Sequence, residues 1–152
     1  MRYRKIASVL ILGMLLLISS GCNRDQYPDI SNEDIGQICS LEAERIVLIK
    51  EDNSLEFKYE VPYAKGVYQS VRITMGPTSR IHLNQIKEAQ KDRDLKEYLT
   101  VGDGAFIHDY QHPPWLRTMW LSDGDRTYRV QSILSGCNND TKLLEIARRL
   151  SE

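Results

Sequence analysis

The chain has 152 residues, 41% of them hydrophobic and 27% charged, with 20 basic residues against 21 acidic ones. That is the composition of an ordinary folded protein, and it excludes a disordered, collagen-like or single-sign scaffold. It also excludes the strongly basic surface that nucleic acid demands, the more so because three of the basic residues lie within the first five positions.

Those three, Arg2, Arg4 and Lys5, precede an apolar run from Ile6 to Ile18 interrupted only by Ser8 and Gly13. A positive segment followed by a short apolar one has the form of a secretory signal peptide. As a helix the run would span roughly 20 Å, well short of the ~30 Å hydrocarbon core that a permanent anchor must cross. It leads into Ser19-Ser20-Gly21-Cys22. Small residues directly before a cysteine resemble the lipobox of bacterial lipoprotein precursors, with Ser19 standing where that pattern usually has Leu. The resemblance covers the first 22 residues. It implies that residues 1–21 are a lipoprotein signal peptide, removed after the Cys22 thiol has received a diacylglyceryl group. The chemistry needs a cysteine because a thiolate is a far better nucleophile than a hydroxyl. It also implies several acyl chains on the mature N-terminus, and more than one chain is what stable membrane anchoring requires. In lipoproteins of Gram-negative bacteria an Asp after the cysteine favours the inner membrane. Asn23 occupies that position here, which favours the outer membrane.

Loss of residues 1–21 leaves 17 basic against 21 acidic residues, a net charge of −4. That argues against nucleic acid or anionic lipid headgroups as partners. Residues 22–31, polar, acidic and holding Pro28, predict a flexible tether. Residues 32–152 then suffice for a single domain with one core, and they contain no repeat.

Ser31 with Asp34 three residues on has the pattern of a helix start. Apolar residues at Ile35, Ile38, Cys39, Ala43, Ile46 and Val47 extend a helical stripe, so the favoured reading is a helix to about Lys50. The rival is a strand at Ile46 to Lys50 that turns over Asp52-Asn53-Ser54. Leu55 to Val61 alternates as a half-buried strand that Pro62 ends, and Val67 to Met75 alternates again. A charged surface helix is predicted from His82 to Glu97. Gly102-Asp103-Gly104 makes a turn before a short strand, Ala105 to Asp109. Leu116 to Ile133 is the strongest local signal, two β-forming runs around Asp123-Gly124, read as a type I′ hairpin. Gly136 to Asp140 is a loop. Asp140 or Thr141 then caps a last helix with Leu143, Leu144, Ala147 and Leu150 as its apolar stripe.

The sum is an α+β domain: an antiparallel sheet of four to five strands with N-terminal, middle and C-terminal helices packed on one face. With Cys22 acylated, Cys39 and Cys137 are the remaining cysteines, and an even count outside the reducing cytoplasm predicts that they form a disulfide. In outline this resembles several families of uncharacterised small bacterial lipoproteins, a likeness of architecture that implies no activity.

Chemistry is sparse. His108, Asp109 and His112 form H-D-x-x-H, which His82 or Asp103 would have to complete, since zinc needs three or four convergent ligands. Solvated loop histidines are the favoured reading, and neither metal nor cofactor is expected. No G-x-S-x-G is present, and Gly102-x-Gly104 lacks the rest of a phosphate-binding pattern. Around Pro113-Pro114, the favoured reading is that Trp115 packs back over the core or sheet edge; the alternative makes Tyr110, His112 and Trp115 the candidate partner-contact residues, an aromatic surface stiffened by proline. The functional expectation is a non-enzymatic binding or accessory module on an anchored envelope lipoprotein, with an envelope protein as partner. The alternatives are an inhibitor or immunity protein against an envelope-acting toxin or hydrolase and, behind it, a metal-dependent hydrolase.

Overall fold

A computed structural model describes residues 27–77, 80–89, 95–109, 116–133 and 135–152. Its strands are β1 (Ile46–Glu51), β2 (Ser54–Glu60), β3 (Tyr68–Pro77), β4 (Leu95–Tyr98), β5 (Gly104–Asp109), β6 (Arg117–Asp123) and β7 (Arg126–Ser132). Its helices are α1 (Asn32–Cys39), α2 (Arg80–Ala89) and α3 (Asp140–Leu150). The α+β class and the three helices are as expected. The sheet is antiparallel but has seven strands, in the order β1-β2-β3-β7-β6-β5-β4, and not four to five.

Both additional strands come from segments that read as helix. Ser31 does cap α1, accepting from the Asp34 amide at 3.2 Å while the Asp34 carboxylate accepts from the Ser31 amide at 2.8 Å. The helix stops at Ser40, which adopts the left-handed conformation at φ 59. After a short 3₁₀ turn at Ala43–Arg45 the chain enters β1. There Ile46 is 6% exposed and Val47 57%. A helical stripe would have buried both, whereas a pleat sends neighbours to opposite faces. The predicted helix from His82 to Glu97 likewise divides, into α2 and the edge strand β4, whose Tyr98 reaches the core.

Strands β1 to β3 form one meander and β4 to β7 a second, and β3 pairs with β7 from Val71↔Ser132 to Pro77↔Arg126. The chain between β3 and β4 must therefore pass over β7, β6 and β5. It carries α2, which contacts β6 and whose Lys87 pairs with Glu97 of β4 at 2.5 Å. Glu97 lies opposite Phe106, on the face away from the core. The middle helix thus lies on the second face, and only α1 and α3 share the first, a correction to the expected one-sided arrangement.

The first face holds the core. Leu55, Phe57, Val71, Ile73, Ile107, Met119, Leu121 and Val130 are buried there against Ile35 of α1 and Leu143, Ile146, Ala147 and Leu150 of α3. Ile146 takes the place in the stripe expected of Leu144, which is only partly buried, and the helix cap is Asn139, accepting from the Lys142 amide at 3.0 Å. Cys39 and Cys137 are joined by a disulfide with Cα atoms 4.9 Å apart, which ties the end of α1 to the turn before α3. Gly136 lets them meet, because a Cβ at that position would stand 2.4 Å from the Cys39 carbonyl oxygen.

Two smaller expectations shift. Tyr27 and Ile30 pack on the core, and the Lys50 ammonium lies 5.4 Å from the Tyr27 ring centroid, so the packed domain begins inside the segment predicted to be tether. In the β6–β7 hairpin Asp123 pairs with Arg126, which makes Gly124-Asp125 the central pair. Gly124 is at φ 59 and Asp125 is not in the positive region, the sign pattern of a type II′ turn instead of type I′. Among the described residues no helix is long and apolar enough to cross a membrane.

Candidate functional site

Of the residues singled out from the sequence, Cys22, Tyr110, His112 and Trp115 lie outside the described residues. His108 and Asp109 end β5, paired with Thr118 and Arg117, and His82 is in α2. Asp103, the other candidate metal ligand, is occupied: its carboxylate accepts from the Gly124 amide at 2.8 Å and holds the turn before β5 against the tip of the β6–β7 hairpin. Among the described residues no three His, Cys, Asp or Glu side chains converge as a metal site would require.

Two clusters of charge join elements together. Asp140, at the start of α3, accepts from the Lys96 ammonium at 2.9 Å, from the Tyr98 hydroxyl at 3.1 Å and from the Arg117 guanidinium, so three side chains from β4 and β6 converge on one carboxylate. Burial alone would raise its pKa, but the hydrogen bonds from Lys96 and Tyr98 and the charge of Arg117 outweigh burial and hold it below the usual carboxylate range. Tyr98 moves up, through burial first and then through the carboxylate it donates to. Asp34 accepts from Arg149 at 3.0 Å, linking α1 to α3. It too is lowered, with the Ser31 and Arg149 hydrogen bonds overcoming burial. A groove beside this pair is lined by Gln37, Ile38, Lys142, Glu145 and Arg148, charges of both signs. Opposite charges in such reach serve as struts between elements.

The second face of the sheet is different in kind. Strand alternation and register place Thr118, Trp120 and Ser122 of β6 opposite Gln131, Arg129 and Thr127 of β7, with Phe106 of β5 beside Trp120 and Thr74 of β3 beside Arg129. Phe106 and Trp120 stack with centroids 6.5 Å apart and planes at 24°. The Arg129 guanidinium carbon lies 5.6 Å from the Trp120 ring centroid, within cation–π range. Thr118 is 2% exposed and Thr127 4%, while Trp120 and Arg129 are half-buried. Four polar atoms here are buried without a hydrogen-bond partner: Arg129 Nε, Trp120 Nε1, Thr118 Oγ1 and Thr127 Oγ1. On the adjoining strand β3 of the same face, Arg72, opposite Gln131, pairs with Glu56 at 2.8 Å. The sheet supplies a carboxylate for one arginine, and among the described residues none for the other.

From its sequence Leu116 to Ile133 predicts the hairpin but not this patch. The signal was there in the alternate positions Thr118-Trp120-Ser122 and Thr127-Arg129-Gln131, polar and aromatic where a merely solvated face would carry charge. What joins the two sets is the β6–β7 register, which lies in the turn. No protein-family model, curated protein or solved structure matches the chain.

Proposed function

We propose that the protein is a bacterial envelope lipoprotein, anchored through acylated Cys22, whose domain serves as a non-enzymatic binding or accessory module in the periplasm or at the cell surface. The observation that carries this reading is Ser20-Gly21-Cys22 at the exit of a short apolar run preceded by Arg2, Arg4 and Lys5. The Cys39–Cys137 disulfide supports it, since such bonds persist in oxidising compartments. Packing of Tyr27 leaves only residues 23–26 between the lipid and the domain. Five residue steps reach at most roughly 18 Å, so the domain works close to the membrane surface. A binding role draws support from the second face, where donors without acceptors stand on a rigid sheet.

The test is processing. Globomycin, which blocks the lipoprotein signal peptidase, is expected to cause a larger precursor to accumulate, and Cys22→Ser to abolish acyl labelling. An unchanged pattern in both would overturn the anchor. A second reading, an inhibitor or immunity protein, is favoured by the −4 charge after processing, which suits a basic toxin or hydrolase. Co-purification with such an enzyme and loss of its activity on mixing would support it.

A further inference from the structure

We propose that the second face of the sheet carries a binding site for an oxyanion, a carboxylate or phosphate group borne by a small solute, seated against Arg129 and Trp120. A guanidinium has five N–H donors and no acceptor, and an indole Nε1–H is a donor only. Neither can satisfy the other, and neither Thr118 Oγ1 nor Thr127 Oγ1 hydrogen-bonds to either of them. Arg129 Nε and Trp120 Nε1 are both buried without an acceptor, side by side on paired strands. What completes such a pair is an oxygen-rich acceptor carrying negative charge.

The geometry suits that ligand. Trp120 and Arg129 are cross-strand neighbours, about 5 Å apart, with Thr118 diagonal to Arg129 on one side and Thr127 diagonal to Trp120 on the other, each at about 7–8 Å, so an anion seated on the pair has a hydroxyl to either side. The Trp120 ring beside the guanidinium limits its orientation, and a planar fork held in one orientation recognises two oxygens at once. Thr118 and Thr127, nine-tenths buried, bring hydroxyls that turn to donate or accept as the ligand requires. Half-burial of Trp120 and Arg129 leaves the site open on one side while excluding enough water to strengthen the pairing. The positive charge is local, and the net negative charge of the chain disfavours large polyanions while leaving a single anionic group free to bind.

This inference names a ligand class for the binding role above, and it uses no residue that takes part in anchoring. The experiment is a titration of the full-length chain in a non-ionic detergent, following the ¹H–¹⁵N signals of Arg129 Nε–H and Trp120 Nε1–H, with the two indole signals assigned by Trp115→Phe. The probes are inorganic phosphate, acetate and glucuronate at constant ionic strength, each to about 50 mM, the range in which a single charge-assisted fork is measurable. Saturable movement of both signals with at least one probe is expected, and binding about tenfold weaker in Arg129→Gln. Arg148→Gln, which alters an exposed arginine of α3 on the opposite side of the sheet, should leave binding intact. Response to phosphate alone assigns a phosphate ester, to acetate and glucuronate a carboxylate, and to glucuronate alone a sugar acid. No saturable movement with any probe, or equal affinity in Arg129→Gln, overturns the site. Should Arg129→Gln fail to fold, Arg129→Lys keeps the charge and loses the fork, and undiminished affinity there overturns it equally.

Discussion

The two faces of one sheet obey opposite rules. On the first, Phe57, Ile73, Met119 and Leu121 are sealed beneath α1 and α3, and the disulfide closes the edge of the helical layer. On the second, Thr118, Trp120, Thr127 and Arg129 occupy the complementary positions of the same strands. Alternation makes this possible, because each strand sends successive residues to opposite sides and one backbone serves both. The difference shows where stability resides and where it is given up. A packed apolar side chain contributes through area removed from water, whereas a buried donor without an acceptor costs about 1–3 kcal/mol. A face that retains such groups is arranged for something other than stability, which is the physical reason for placing a ligand there.

The contrast makes measurable claims, and the largest concerns the disulfide. Cys39 and Cys137 enclose a separation of 98 residues, and in the chain-entropy model a loop near that length is worth about 4.7 kcal/mol. Cys39→Ala with Cys137→Ala should lose most of that in chemical denaturation, and neither thiol should alkylate before reduction. Next is Phe57→Ala on the first face, where truncation of a fully buried ring should cost about 3–5 kcal/mol. A loss below about 1 kcal/mol would mean that the first face is far looser than its burial indicates.

A smaller effect is expected at the hairpin tip shared by both faces. Gly124 sits at φ 59 with open space around it, so Gly124→Val strains the backbone without a clash and should cost about 1–2 kcal/mol. Asp140 reports on pH. Its folded pKa lies below the usual value of 3.8, so its contribution is complete above that value and is lost as pH falls through the lower, folded one. Urea midpoints between pH 5 and pH 2 should therefore fall less steeply in Asp140→Asn than in the wild type, and equal slopes would remove Asp140 as a strut. The smallest change belongs to the second face. Arg129→Met removes a half-buried cation that has no carboxylate partner among the described residues, and should shift stability by less than about 1 kcal/mol, in the stabilising direction if either. A large loss would show that Arg129 supports the fold after all.

Much of the architecture was legible in the residues alone, for reasons that are local. Ser31 and Asp34 form their capping box within four residues, Leu55-Phe57-Tyr59 alternates within a single strand, and Cys39 with Cys137 follows from counting cysteines. Short apolar runs were ambiguous. Ile46-Val47-Leu48-Ile49 satisfies a helical stripe and a strand equally well, and what makes it β1 is six residues of pairing with β2. Leu95–Tyr98 becomes β4 only because β5 is beside it. An extended segment leaves its backbone groups unpaired until a neighbour arrives, so strand identity is decided by a partner that sequence periodicity does not show.

By itself, then, the sequence determined the apolar-run-to-cysteine pattern at Cys22, the α+β class, the cysteine pairing and the strands whose alternation is complete within themselves. Tertiary structure alone decided that β3 joins β7, that α2 crosses the second face, that Gly136 must admit the Cys39 carbonyl, and that Trp120 and Arg129 stand together with their donors unmet. The dividing line is range. Caps, turns and alternation are settled by neighbours a few residues away, whereas sheet order and the composition of a face depend on which distant segments pair, and that choice is made by the burial of the whole core at once.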